Sequence, residues 1–166
     1  MDGCLARAGR SPELLSAVGL VILQMGDVRA AEKVFMEVEM GAAEGNAAIR
    51  ALCCRNKGLV HFANQQFNEA AAQFEAARAA RPGDPVTSNN LAVAQMYACG
   101  LVGAVQGLET RLQESPQAHL REELLLNLAS MYELASGNSQ ESKRALSRWA
   151  LGLGPDDFDV SCTRLQ

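Results

Sequence analysis

Two stretches of the chain superimpose at a spacing of 34 residues, and that spacing leaves few folds open. Gly58, Ala70, Phe74, Ala77 and Pro82 recur as Ala92, Ala104, Leu108, Arg111 and Pro116, each pair 34 apart. A period of this length marks a helix-turn-helix unit that cannot bury its apolar face alone and stacks on copies of itself. Such an array makes a binding surface, so the first expectation is an all-α chain that holds other molecules.

Composition agrees with a helical domain. Of 166 residues, 48% are apolar and 20% charged, an ordinary globular mix. Alanine is abundant, which favours helix and lets helices approach closely. β-branched runs are nearly absent, so an extensive sheet is not expected. The net charge of −4, with no basic block, argues against nucleic acid or an anionic membrane as the partner. The longest apolar run, Ala17 to Leu23, is too short to span a bilayer. Met1 to Arg10 lacks the basic, then apolar, then small layout of a secretory signal. The five cysteines are odd in number and form no CxxC, so structural disulfides are not expected and a reducing compartment fits better. Cys53 and Cys54, adjacent on a helix and about 100° apart around it, read as buried or half-buried small side chains.

The period and the small or aromatic residues that recur resemble the tetratricopeptide repeat. Ala51 to Asp84 fits a full unit, with a first helix through Cys53 to Asn64 and a second from about Phe67 to Ala80. Gly58 suits the point where the two helices nearly touch, and Phe74 is the knob between them. Arg81-Pro82-Gly83-Asp84-Pro85 stops one helix and starts the next, with Asp84 as N-cap. In the following unit, Pro85 to Ala118, Gly100 separates the helices and Ala104 and Leu108 take the places of Ala70 and Phe74.

Outside the middle the spacing stretches. Gly19, Ala31 and Phe35 stand 39 residues before Gly58, Ala70 and Phe74, which places extra residues in a loop over Gly41 to Asn46. Ser11-Pro12-Glu13 is a helix start, and Gly26-Asp27 is the turn of this first unit. Downstream, Asn90-Leu91-Ala92 recurs as Asn127-Leu128-Ala129, shifted by 37, with the extra residues around Gln117 to Arg121. A helix then ends near Leu134 or Ala135, and Ser136 to Ser139 turns. Gln140 to Leu151 is a second helix packed through Ala145 and Trp149. Phe158, Cys162 and Leu165 share a helical face and predict a short capping helix. The whole reads as a right-handed α-solenoid of about four antiparallel helix pairs. Residues 1–11 form a flexible segment, 12–155 the repeat domain and 156–166 the cap.

Catalytic chemistry is not visible. His61 takes an aromatic packing position and reads as a partly buried structural histidine. His119 falls in the inserted loop and is expected to be exposed. No GxxxxGK[ST], HExxH or GxSxG occurs. No catalytic, cofactor-binding or metal-ligating residue is assigned, and no cofactor is expected. The candidate surface is the concave face lined by the first helix of each unit. Asn56, Asn90 and Asn127 occupy the same position in three successive units and form a candidate protein-binding ladder. Their amides suit a peptide backbone or, equally, hydrogen bonds from helix to helix. A clamp for a C-terminal carboxylate would need Lys and Arg on that face, where Ser16, Leu20, Val86 and Glu123 stand instead.

Three segments are more specific than the repeat pattern. Gly26 to Phe35 (GDVRAAEKVF), Ser88 to Val93 and Asn127 to Leu134 (NLASMYEL), together with Phe158 to Leu165, resemble the C-terminal tetratricopeptide region of trafficking protein particle (TRAPP) complex subunit 12. The likeness covers nearly the whole chain from Leu14. Members of that family are considerably longer at the N-terminus. The resemblance implies a non-catalytic subunit of a vesicle-tethering complex in transport from endoplasmic reticulum to Golgi. Such a subunit is cytoplasmic, reaches membranes through partners rather than by insertion, and holds other subunits of the complex. The alternative is a peptide-binding tetratricopeptide adaptor of co-chaperone type, and a small enzyme is a third reading without a constellation to support it.

Overall fold

The computed structural model describes residues 11–41, 46–135, 137–155 and 158–163. Among them all regular structure is helical and no strand occurs. The expected N-terminal segment (save Ser11), the insertion at 42–45, Ser136 of the last turn, and Asp156, Asp157 and Leu165 of the cap lie outside the described residues.

The chain divides into two compact units, Met1–Arg81 and Pro82–Gln166. In the first, helix α1 (Pro12–Gln24) pairs with α2 (Val28–Met40), and α3 (Ala47–Ala63) with α4 (Phe67–Ala80). Helix α3 also packs on both members of the preceding pair. In the second unit, α5 (Pro85–Tyr97) pairs with α6 (Leu101–Glu114), and α8 (Glu122–Ala135) with α9 (Ser139–Leu153). The single turn α7 (Pro116–His119) sits against α6, and a short 3₁₀ helix (Val160–Thr163) packs on α8 and α9.

The helix starts have local causes. Ser11 Oγ accepts from Leu14 N at 3.2 Å, Asp27 Oδ1 from Ala30 N at 2.9 Å, and Asp84 from the amides of Val86 and Thr87, each at 3.3 Å. These side chains satisfy amides that lack a partner inside the helix. Asn46 does the same for Ala48 and Ile49. With that cap, α3 begins at Ala47, a turn before the repeat pattern suggests.

The turn inside a pair is the same three times over. Gly26, Gln65 and Cys99 have φ of 90°, 61° and 64°. Each donates its amide to a carbonyl three residues back, and the next residue donates to one five back. This is a Schellman motif, which closes the open carbonyls at a helix end through one left-handed residue. The residue after it, Asp27, Gln66 or Gly100, is at once the N-cap of the second helix. Only the first of the three left-handed positions holds glycine, so the shared conformation is invisible as a glycine pattern.

Within each pair of the first unit a phenylalanine lies on a glycine. A Cβ added to Gly58 would stand 2.6 Å from Phe74 Cε1, and Gly19 meets Phe35 in the same way. Phe74 is fully buried, with Ala70 and Ala77 beside it. In the second unit the core joins Leu108 and Leu112 of α6, Leu124, Leu125, Leu128 and Met131 of α8, and Leu146 and Ala150 of α9.

Two expectations need correction. Ala145 is exposed, and Leu146 and Ala150 are the buried positions of α9, while Trp149 packs against the same core as expected. The cause is a register step: α8 runs through Ala135, one residue beyond the 37-residue offset from the end of α5, which turns every later α9 position by about 100°. The cap is a 3₁₀ turn over Val160–Thr163 rather than an α-helix, with Phe158 and Cys162 packed on the core and Thr163 buried.

Replacing Gly58 by Leu is expected to cost roughly 1–3 kcal/mol through overpacking against Phe74. Adding Phe74→Leu should recover part of that loss in a urea-unfolding double-mutant cycle. Gln65→Gly should raise stability by up to about 1 kcal/mol by relieving the left-handed backbone. An unchanged midpoint in thermal and urea unfolding would contradict that assignment.

Candidate functional site

The recurring geometry of the first helices is polar as well as apolar. Asn56 of α3 is buried and donates Nδ2 to Ser16 Oγ of α1 at 2.7 Å. Asn127 of α8 donates Nδ2 to Asn89 Oδ1 of α5, also at 2.7 Å. In the repeat register the counterparts of the two donors are Ala17 and Asn90, so each acceptor sits one residue before its donor's counterpart. The same rung is therefore built once in each unit. Asn90 is half-buried. Of the two uses open to these amides, the bond between successive first helices is the one that Asn56 and Asn127 make.

Beside this seam lies a serine–histidine contact. His119 is buried at 1% exposure, which corrects the exposed loop histidine read from the sequence. The turn of α7 folds the insertion back and carries the ring inward. Its Nδ1 lies 3.2 Å from the Ser115 carbonyl oxygen, which can only accept, so Nδ1 bears the proton there. Nε2 lies 3.3 Å from Ser88 Oγ. Ser88 is itself buried and bonded to the Asp84 carbonyl, so its hydroxyl has no open face for a substrate. The pair ties α5 to the insertion and does not form a nucleophile with a base.

The crevice between α2 and α3, about 170 Å³, is lined by Phe35, Met36, Glu39, Cys53, Lys57 and His61 among others. Glu39 Oε1 accepts from Lys57 Nζ at 2.5 Å, and that bond raises the lysine pKa. Burial, and then the Glu39 charge, push the Cys53 thiol up from its ordinary value. A thiol held in its neutral form is a poor nucleophile and a poor ligand. His61 is half-buried, with Nδ1 at 2.8 Å from Gln66 Oε1.

In the second unit a crevice of about 270 Å³ opens beside Leu112, Leu128, Tyr132 and Trp149. Tyr132 donates its hydroxyl to Glu109 Oε1 at 2.7 Å. Burial, reinforced by that bond, keeps the phenol protonated far above its ordinary range. A wider cleft of about 830 Å³ runs along α9, where Arg144 and Arg148 stand one turn apart near Ser147 and Thr163. Burial also raises the Cys162 thiol. Among the described residues no group of three His, Cys, Asp or Glu side chains is placed to hold a metal.

The least expected residue is Lys143, whose side chain is 4% exposed and which pairs with Glu133 across the α8–α9 turn. The sequence does hold a signal for it: Lys143, Leu146 and Ala150 are spaced by three and four and share the buried face of α9. A lone lysine in that pattern reads as a solvated edge unless its partner ten residues away is noticed.

No protein-family model matches the chain. Sequence comparison finds two relatives of one name over almost its full length. Both are trafficking protein particle complex subunit 12. The human relative is 33% identical over 161 residues, which is 94% of this chain and 21% of the relative. The mouse relative is 31% identical over 161 residues, 94% of this chain and 20% of the relative. The likeness read from the GDVRAAEKVF and NLASMYEL segments thus extends along nearly the whole chain. The chain spans about a fifth of the length of the curated relatives it matches.

Glu133→Ala should destabilise the α8–α9 pair by about 1–3 kcal/mol, because the buried ammonium of Lys143 loses its carboxylate. Lys143→Met in the same background should restore most of the loss. A melting temperature that stays put in the single variant would show that the pair contributes nothing.

Proposed function

We propose that the chain is a non-catalytic interaction scaffold, a subunit of a TRAPP-type vesicle-tethering complex in transport from endoplasmic reticulum to Golgi. The observation that carries this reading is 33% identity over 94% of the chain to a protein whose name is that of a complex subunit. The proposed architecture is a right-handed solenoid of about four tetratricopeptide-like pairs over residues 12–155, with 156–166 as its cap. The repeated rung between first helices and the identical turns support it. The concave face, including Asn56, Asn90 and Asn127, is proposed to meet neighbouring subunits. Asn56 and Asn127 shape that face by holding its helices together, and the half-buried Asn90 is the one of the three best placed to bond a partner.

The co-chaperone alternative gains no support from the geometry. Ser16, at a position where a carboxylate clamp would need a cation, is buried against Asn56. A cytoplasmic location with membrane contact only through partners is proposed on the same grounds. No helix among the described residues is long and apolar enough to cross a membrane.

The test is affinity purification of the tagged chain from cells, with quantitative mass spectrometry. Recovery of several trafficking-particle subunits in near-constant ratio is the expected result. Recovery of chaperones alone would overturn the proposal.

A further inference from the structure

A crevice between the second helix of one pair and the first helix of the next occurs in both units. In the first unit it lies between α2 and α3, and the fold supplies its own cation. Lys57 of α3 reaches Glu39 of α2 there, in a cleft walled by Phe35, Met36 and Val60. The register that aligns Asn56 with Asn127 and Phe35 with Leu108 places Leu128 at Lys57, Leu112 at Glu39, Tyr132 at His61 and Glu109 at Met36. The second crevice, about 270 Å³, is lined by these four residues and by Trp149 of α9. The lysine is gone, and a carboxylate from the second helix remains. Among the described residues that line this crevice, Glu109 is the only charged one. Its Oε1 accepts from the Tyr132 hydroxyl at 2.7 Å, and among the described residues it forms no ion pair.

We propose that this crevice is a binding site for the side chain of a lysine or arginine presented by a partner protein. Three features select a cation. Glu109 is half-buried, and a carboxylate taken partly out of water is stabilised by an opposite charge. The phenol that bonds it is neutral, because burial keeps Tyr132 protonated far above its ordinary range. The walls carry two aromatic rings, Tyr132 and Trp149, and ring faces attract a cation. Buried Leu112, Leu128 and Leu146 form an apolar floor, which suits the methylene stem of a basic side chain and not a hydrated metal ion. An acidic side chain would meet the Glu109 charge, and a neutral one would leave it unpaired. At about 270 Å³ the space falls below the roughly 300–1,000 Å³ of sites for whole small molecules, which fits one side chain. Only the origin of that side chain, in a partner protein, rests on the scaffold reading.

Trp149 is the sole tryptophan of the chain, so its fluorescence reports on the site directly. The probes are Nα-acetyl-lysine methylamide and Nα-acetyl-arginine methylamide, titrated into the purified full chain at constant ionic strength. The norleucine analogue, similar in shape and uncharged, is the control. At least one cationic probe should change the emission saturably with a Kd on the order of 1–10 mM, and the control should not saturate. Glu109→Gln keeps an acceptor for the Tyr132 hydroxyl and removes the charge. It should weaken probe binding roughly tenfold, with the melting temperature unchanged. No saturation with either cationic probe would overturn the proposal. Equal binding of the norleucine analogue, or equal binding to Glu109→Gln, would do the same. These titrations involve no cell extract, so their failure is separate from failure of the cellular purification. In that purification Glu109→Gln should recover less of at least one protein that the wild type holds, and identical profiles would overturn the assignment to a partner.

Discussion

A phenylalanine ring resting on a bare glycine backbone sets the distance between the helices of each pair in the first unit. The contact fills the interhelical space completely, since even one added methyl at Gly58 would press into the Phe74 ring. Interiors packed to this density resist both deletion and addition of volume. Once α3 and α4 are held this close, Ala70 and Ala77 are the right size for their places, and larger residues there would push the pair apart. In the second unit Ala92 and Leu108 hold the corresponding places, both buried in one leucine-rich core. A slightly larger residue on one helix is matched by a slightly smaller knob on the other.

Stacking of pair on pair uses a different chemistry. Apolar area between pairs is supplemented by one amide bond from each donor asparagine to the preceding first helix. Apolar contact is nondirectional, whereas a buried amide must find its partner or leave a polar group unsatisfied. The asparagine therefore fixes the register in which successive first helices meet. Within each unit the rung holds the two first helices in one fixed arrangement. The buried, hydrogen-bonded polar groups described above serve the same end. Ser88 and His119 have their polar atoms turned on each other and on backbone carbonyls inside the fold, and Tyr132, at the smaller crevice of the second unit, has its hydroxyl on Glu109.

Much of the fold was legible because the repeat imposes one pattern several times. Phe67–Ala80 was readable to the residue because Phe67 and Pro82 bracket it. The glycine–phenylalanine pairs followed from size alone. What escaped was information carried by single positions. One extra residue at the end of α8 shifted the face of α9 from Ala145 to Leu146, and nothing in a repeat offset distinguishes 37 from 38 over a weakly matching helix. His119 was misplaced because an insertion has no counterpart in the repeat from which burial could be inferred. The asparagine position and a helix-to-helix bond as one of its two uses were visible, but the acceptors were not, since Ser16 and Asn89 differ in type and lie one step off the aligned column.

The three Schellman turns give the chain an uneven tolerance for change in length. At Met25-Gly26-Asp27 and its two counterparts, each residue closes the helix before it or opens the helix after it. An inserted residue would break both roles at once. The departures from a 34-residue period fall outside these three turns, around Gly41 to Asn46, around Gln117 to Arg121 and at the end of α8. These three turns are thus the elements of fixed length in the chain. An epitope tag, fluorophore tether or protease site placed between Gly41 and Asn46 would leave those turns whole, whereas the same addition inside one of them, or beside the buried His119, would unmake packed structure.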